Sequence, residues 1–218
     1  MKPIVLLCAA LLAAPVSAET FSVSLGGKAL GQLSYSEVGN KSTLSSTVDN
    51  TPLGVFNGTF TGTSTGSSAK SLFTGDSRSS RKQRVVKVNL AKGRATSTDV
   101  TPAEEQTELS DVARVPADVM DPVRAMGQLF RAKGCPAPIQ MYDGRRVVSM
   151  RSDIGTKTAG TLTCNLRYKV IAGPGHLSPL GISSAKMQLS YSITDGGQNL
   201  QQMKVSSGIF GIRLDREN

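Results

Sequence analysis

Apolar and polar residues alternate strictly across residues 158–171. Leu162, Cys164, Leu166, Tyr168 and Val170 fall on one face, and Thr161, Thr163, Asn165, Arg167 and Lys169 on the other. Residues 185–194 repeat the pattern, with Met187, Leu189, Tyr191 and Ile193 set against Lys186, Gln188, Ser190 and Ser192. A period of two sends successive side chains to opposite faces of a strand, so both segments read as half-buried strands of an antiparallel sheet. Weaker alternation predicts strands at 21–25, 30–38, 42–48, 52–62, 85–90 and 94–99, and a closing strand at 209–214. Gly26-Gly27-Lys28 and Asp195-Gly196-Gly197 supply hairpin turns. Residues 62–80, rich in Gly, Ser and Thr, read as a long exposed hairpin end, and 104–116 as a polar connecting loop.

One segment follows a different period. Asp121-Pro122 offers an N-cap followed by proline at the first helical position, and Val123, Met126, Leu129 and Phe130 then recur at helical spacing until Gly134. This predicts a single amphipathic helix over about 121–133. Its apolar stripe must be covered, and the concave face of the sheet is the natural partner. The expected fold class is therefore all-β and mainly antiparallel: one curved sheet or half-barrel holding one helix on its concave face.

The N-terminus sets the compartment. Lys2, an apolar run over 4–14 and the small residues Val16-Ser17-Ala18 read as a secretory signal peptide, cleaved after Ala18. An acylated leader at Cys8 fits less well, because that cysteine comes too early in the apolar run. Residues 19–218 are then a single β-rich domain, periplasmic or secreted, with no segment suited to stable transmembrane insertion. Two cysteines remain, Cys135 and Cys164, and an oxidising compartment predicts a disulfide between them. That bond would pin the end of the helix onto the 158–171 strand. The chain is 39% hydrophobic with no Trp, so its core is built mainly from Leu, Val, Ile and Met. The formal net charge of +9 suits a meeting with anionic lipid headgroups or an acidic partner, or simply keeps a sheet in solution.

Met141-Tyr142-Asp143-Gly144-Arg145-Arg146 is the stretch most like a functional motif. Asp-Gly suits a two-residue hairpin turn, in which Met141 would face Arg146 and Ile139 would face Val148. Ile139, Met141, Val148 and Met150 then share the buried face with Arg146, while Tyr142, Arg145, Val147 and Arg151 lie opposite. Arg146 is a cation on a core-facing side. It either snorkels to solvent at the rim of the sheet or stands at the mouth of a cavity, able to pair with a carboxylate or phosphate.

The ordered set GGKALGQLSYS, DPVRAMGQLFR, QMYDGRRVVSMR, LTCNLRYKVIAG and GIFGIRLD resembles the exported bacterial family known as domain of unknown function 3108. The resemblance covers most of the mature chain, and the DGRR hairpin and the Cys164 strand are its most specific parts. It implies a secreted protein without an assigned activity. It also implies a curved sheet holding a helix, similar to periplasmic lipoprotein-carrier and lipid-binding folds.

Other candidate chemistry is sparse. His176 in Gly173-Pro174-Gly175-His176 reads as a surface loop residue, and Glu104-Glu105 as solvated carboxylates. Arg78, Arg81, Lys82, Arg84 and Lys87 read as a solvated strand end or a contact for anionic lipid, and lack the aromatics that nucleic-acid binding wants. No cofactor or metal is expected, and no enzyme. The expected function is a non-enzymatic periplasmic binding module for an apolar or lipid-like ligand or a lipidated partner. Arg146, Arg145, Tyr142, Met126 and Phe130 would line its cavity or meet its polar head. The alternative is an envelope scaffold or assembly protein with a solid core. Oligomeric state is not legible.

Overall fold

The computed structural model describes residues 18–51, 57–80, 82–176, 181–208 and 210–217. The expected leader, apart from Ala18, lies outside them, as do Arg81 and the first part of the strand expected at 52–62. Fourteen strands form one antiparallel sheet: β1 Ala18–Leu25, β2 Lys28–Val38, β3 Lys41–Val48, β4 Gly58–Gly66, β5 Lys70–Ser79, β6 Gln83–Ala91, β7 Arg94–Thr101, β8 Ile139–Tyr142, β9 Val147–Ser152, β10 Thr156–Thr158, β11 Thr161–Ala172, β12 Ser184–Thr194, β13 Gly197–Ser207 and β14 Phe210–Arg216. Their spatial order is β7-β6-β5-β4-β3-β2-β1-β14-β13-β12-β11-β9-β8, with β10 beside β11. β9 and β10 pair successive stretches of β11, so together they act as one interrupted strand.

Most neighbours in this order are also neighbours in sequence, joined by tight turns. Leu25 pairs with Lys28 across Gly26-Gly27, whose φ values of 58° and 83° suit glycine. The expected turn at Asp195-Gly196 is present too, with Thr194 opposite Gly197. Pairing β1 with β14 brings the first and last strands together and curls the sheet. Its free edges, β7 and β8, are then spanned by the connecting segment. The Val119 N–H donates to Gly93 O (3.0 Å), Met120 N–H to Gln140 O (2.9 Å) and Tyr142 N–H to Met120 O (2.8 Å). The result is a barrel-like ring.

The helix α1, Pro122–Phe130, touches β3 and β4 on one half of the ring and β8 and β13 on the other. It therefore fills the interior. Asp121 caps it, accepting a hydrogen bond from Arg124 N (3.0 Å). Val123, Ala125, Leu129 and Phe130 are buried, and Phe130 stacks on Phe21 with ring centroids 5.2 Å apart and leans on Tyr35 at 5.0 Å. Each fully buried side chain of this size contributes about 1.5–3 kcal/mol. Cys135, just past the helix, is disulfide-bonded to Cys164 on β11, with 5.6 Å between the Cα atoms. A cross-link between residues 29 positions apart in sequence stabilises by about 3–4 kcal/mol on the chain-entropy model. The fold class, the helix and the disulfide thus stand as expected.

Two expectations need correction. Residues 62–80 are not an exposed hairpin end: β4 and β5 pair in register from Gly58↔Ser79 to Gly66↔Ser71. Their buried positions include Gly62, Ser64, Ser71 and Gly75, and the helix runs close above Gly62 and Ser64. A methyl group on Gly62 would come within 2.9 Å of Val123 Cγ2. The second correction concerns the DGRR hairpin, where Tyr142 pairs with Val147 across a four-residue loop. The Asp143 carboxylate enforces the wider loop, since its Oδ1 accepts from both Arg145 N and Arg146 N at 2.9 Å. Tyr142 and Val147 are as buried as Val148 and Met150, so both faces of this hairpin are covered.

Candidate functional site

The loop at 143–146 sends its two arginines to different places. Arg145 joins a charge cluster centred on Glu105, whose carboxylate meets Lys82 Nζ at 2.7 Å, Arg84 Nη1 at 3.1 Å and Arg145 Nη2 at 3.2 Å. Hydrogen bonding from Lys82, aided by the two guanidinium charges, holds the Glu105 carboxyl below the usual carboxylate range. Burial pushes Arg145 down, helped by the like charge of Arg84. Glu105 is therefore a buried, paired acid, and not the solvated loop carboxylate expected. Arg84 and Lys82 leave the expected free basic cluster to pair with it. The hairpin tip is fastened from the same side, where Thr107 Oγ1 donates to Arg145 O and Ser110 Oγ to Gly144 O.

Arg146 is 5% exposed. It neither snorkels to solvent nor finds a full set of partners. Its Nε lies 3.1 Å from Asp143 Oδ2, out of line for a hydrogen bond, and its Nη1 has no hydrogen-bond partner among the described groups. Glycines bring a second loop onto this point. Gly173 stands at φ 82°, and a Cβ there would lie 2.4 Å from Arg145 O and 2.9 Å from Arg146 Cα, so only glycine lets the backbones approach this closely. His176 follows, paired in both directions with Ile182 at 2.8 Å. Its Nε2 lies 2.5 Å from Tyr168 Oη.

His176 is thus half-buried, and the surface role expected for it is wrong. Burial and then the Arg146 charge hold its imidazole down at about 4, against the opposing pull of Asp143. Burial, with Asp143 nearby, raises the Tyr168 hydroxyl well above its ordinary value. At neutral pH the pair is uncharged, and Arg146 supplies a fixed positive charge beside it. Such an arrangement can present hydrogen-bond donors and a cation to a carboxylate or phosphate oxygen.

The other expected site residues lie elsewhere. Tyr142 is fully buried, with its hydroxyl 2.9 Å from Thr98 Oγ1 and also hydrogen-bonded to Leu109 O, and burial pushes it up to about 12. Phe130 belongs to the aromatic cluster with Phe21 and Tyr35, and Met126 is packed against the same core. Asp143, Tyr168, His176, Glu105 and Arg84 were not read as site residues. Only the glycines before His176 carry a sequence signal for close approach. Among the described residues, no three His, Cys, Asp or Glu side chains gather as metal ligands would, and no helix is long and apolar enough to cross a membrane.

Two open hollows lie along β11–β14. One, of about 590 Å³, is bordered by Leu166, Met187, Arg167, Lys186, Lys204 and Arg213 on β11–β14. The second, of about 490 Å³, is bordered by Tyr168, Lys169, Ser184 and Ala185.

No protein-family model matches the sequence, and a search of curated proteins finds no match. Among solved structures, the chain is similar to the crystal structure of a β-barrel-like protein of domain of unknown function DUF1849 from Brucella abortus, at 12% identity and a TM-score of 0.50. The likeness spans 92% of this chain and 95% of that one. At such low identity what the two share is the fold: an antiparallel sheet curled into a barrel-like body.

Proposed function

We propose that this protein is an exported, non-enzymatic binding module that grips an acidic group, a carboxylate or phosphate, at Arg146. One observation supports the reading above others: a guanidinium only 5% exposed whose Nη1 meets no protein acceptor among the described groups. Burying an incompletely paired charge costs stability, by at least about 1–3 kcal/mol for each unsatisfied group. An anion that completes the pairing accounts for a cation kept there. Tyr168 and His176 add polar contacts without adding negative charge. The acidic group belongs to a lipid-like ligand or a lipidated partner. The seat of α1 offers its apolar part no room, because Phe21, Tyr35 and Phe130 fill it.

Thermal unfolding titrated with inorganic phosphate and with decanoate tests it, on the wild type and on Arg146→Met. Ligand raises Tm of the wild type and leaves the variant unmoved. The filled seat of α1 favours the second reading, an envelope scaffold with a solid core. If neither probe shifts Tm and cross-linking in cells returns a constant protein neighbour, the scaffold reading replaces the binding module.

A further inference from the structure

The outer face of β9 and β11–β14 carries charge in an unusual register. Arg151 lies directly opposite Arg167, and Arg167 opposite Lys186. Lys204 lies opposite Arg213. Lys169 projects from the same face two residues beyond Arg167. Like charges facing each other across strands destabilise a sheet, so nothing in the fold itself asks for this arrangement. All six side chains are exposed. Asp153 pairs with Arg167 at 3.1 Å and Asp215 with Arg213 at 2.6 Å. Among the described residues, Arg151, Lys169, Lys186 and Lys204 have no ion pair. With strands about 4.8 Å apart, the band is roughly 20 Å wide.

Two apolar side chains border this band. Ile154, in the loop between β9 and β10 just past Arg151, is 98% exposed, and Ile171, two residues past Lys169, is 47% exposed. An isoleucine held wholly in water next to a field of lysines has the makings of a shallow membrane anchor. The cations draw the molecule to a negative surface, and the apolar tip enters the headgroup layer. The open hollow of about 590 Å³ is bordered by Arg167, Lys186, Lys204 and Arg213, which suits an anionic headgroup.

We infer that this face docks on an anionic lipid surface, with Lys186, Lys204 and Arg151 supplying the attraction and Ile154 the anchor. An acidic protein would call for fixed partners. Long, unpaired lysines on a broad face instead suit mobile headgroups, and a protruding Ile154 needs no complementary pocket in a bilayer.

Co-sedimentation with vesicles of phosphatidylcholine, with and without phosphatidylglycerol, tests the inference at low and high salt. The wild type binds the anionic vesicles at low salt and is released by high salt. Each cation removed weakens binding about fivefold, so the double variant Lys186→Glu, Lys204→Glu loses at least about 25-fold. Ile154→Ser weakens binding to the anionic vesicles by roughly fivefold at low salt. Lys28→Glu with Lys41→Glu, exposed on β2 and β3, is the control and retains binding. Circular dichroism melts check that every variant folds. No vesicle binding at low salt, or equal loss in the control pair, overturns the inference. Cross-linking to an acidic protein that depends on Lys186 and Lys204, without vesicle binding, overturns it in favour of a protein partner. The double variant Lys186→Glu, Lys204→Glu keeps the rise in Tm that inorganic phosphate gives the wild type, so this test and that of the Arg146 site fail separately.

Discussion

The molecule buries two charges in contrasting ways. Asp121, at the mouth of α1, is fully buried yet richly served. Its Oδ1 accepts from Arg124 N at 3.0 Å, its Oδ2 from Ser64 Oγ at 2.7 Å, and the Arg124 guanidinium lies 3.5 Å away. Arg124 itself is held by Ser64 Oγ and Gly66 O, both at 2.9 Å. Arg146, at the tip of the DGRR hairpin, is nearly as buried but has one imperfectly aligned carboxylate and an unpartnered Nη1. A buried charge with every bond satisfied is a structural fixture, here fastening the helix to β4. A buried charge left short of partners is where a ligand has something to add. Burial alone does not distinguish the two roles; completeness of pairing does.

Mutating the fixture should cost most. Asp121→Ala removes the helix cap and leaves Ser64 and Arg124 unpaired, so denaturant melts should show a loss of about 2–4 kcal/mol. Asp121→Asn keeps a capping oxygen and should cost less than half as much; equal losses would show that the charge, not the cap, matters. Acid comes next. His176 titrates near 4 in the folded protein and at 6.5 in the unfolded chain, so the unfolded state takes up its proton first as pH falls. Its contribution is fully present above about 6.5 and is lost as pH falls from there through about 4. Each pH unit of that window costs up to about 1.4 kcal/mol. Glu105, depressed by Lys82, adds a separate loss at still lower pH. His176→Gln should flatten the first part of the stability profile and leave the second, and an unchanged profile would remove His176 from the account.

Packing around the fixture should matter at a smaller scale. Gly62→Ala places a methyl 2.9 Å from Val123 Cγ2 and from Phe60 Cζ, and should destabilise by about 1–3 kcal/mol. The smallest effect belongs to the under-served cation. Arg146→Met should change stability by less than about 1 kcal/mol, because the lost desolvation penalty offsets the lost attraction to Asp143. A loss as large as that of Asp121→Ala would make Arg146 a second fixture and end the contrast.

Much of this architecture was legible in the letters. Alternation at 158–171 and 185–194 marked β11 and β12, and glycine pairs marked the β1–β2 and β12–β13 turns. Asp121-Pro122 marked the start of the helix. These signals are local, because side-chain direction repeats every two residues in a strand and every 3.6 in a helix whatever the chain does elsewhere. The disulfide followed from there being two cysteines beyond the expected leader. Where a distant element intrudes, the local signal is overwritten. β4 looks like loop because Gly62 and Ser64 make room for a helix some sixty positions away in sequence, and on β5 Gly75 makes room for the rings of Phe60 and Phe73.

The candidate site was legible only in part. Arg146 stood out as a cation on an apolar face, but its surroundings come from elsewhere: Tyr168 from β11, His176 from the loop that Gly173 lets approach. Glu105 looked solvated until the ring brought Lys82, Arg84 and Arg145 around it. The sequence by itself determined strands, turns, helix and cross-link, since each is decided by near neighbours or by cysteine count. Only the tertiary structure decided which charges are buried and which are satisfied, because desolvation and hydrogen bonding depend on whatever the folded chain brings within about 3 Å.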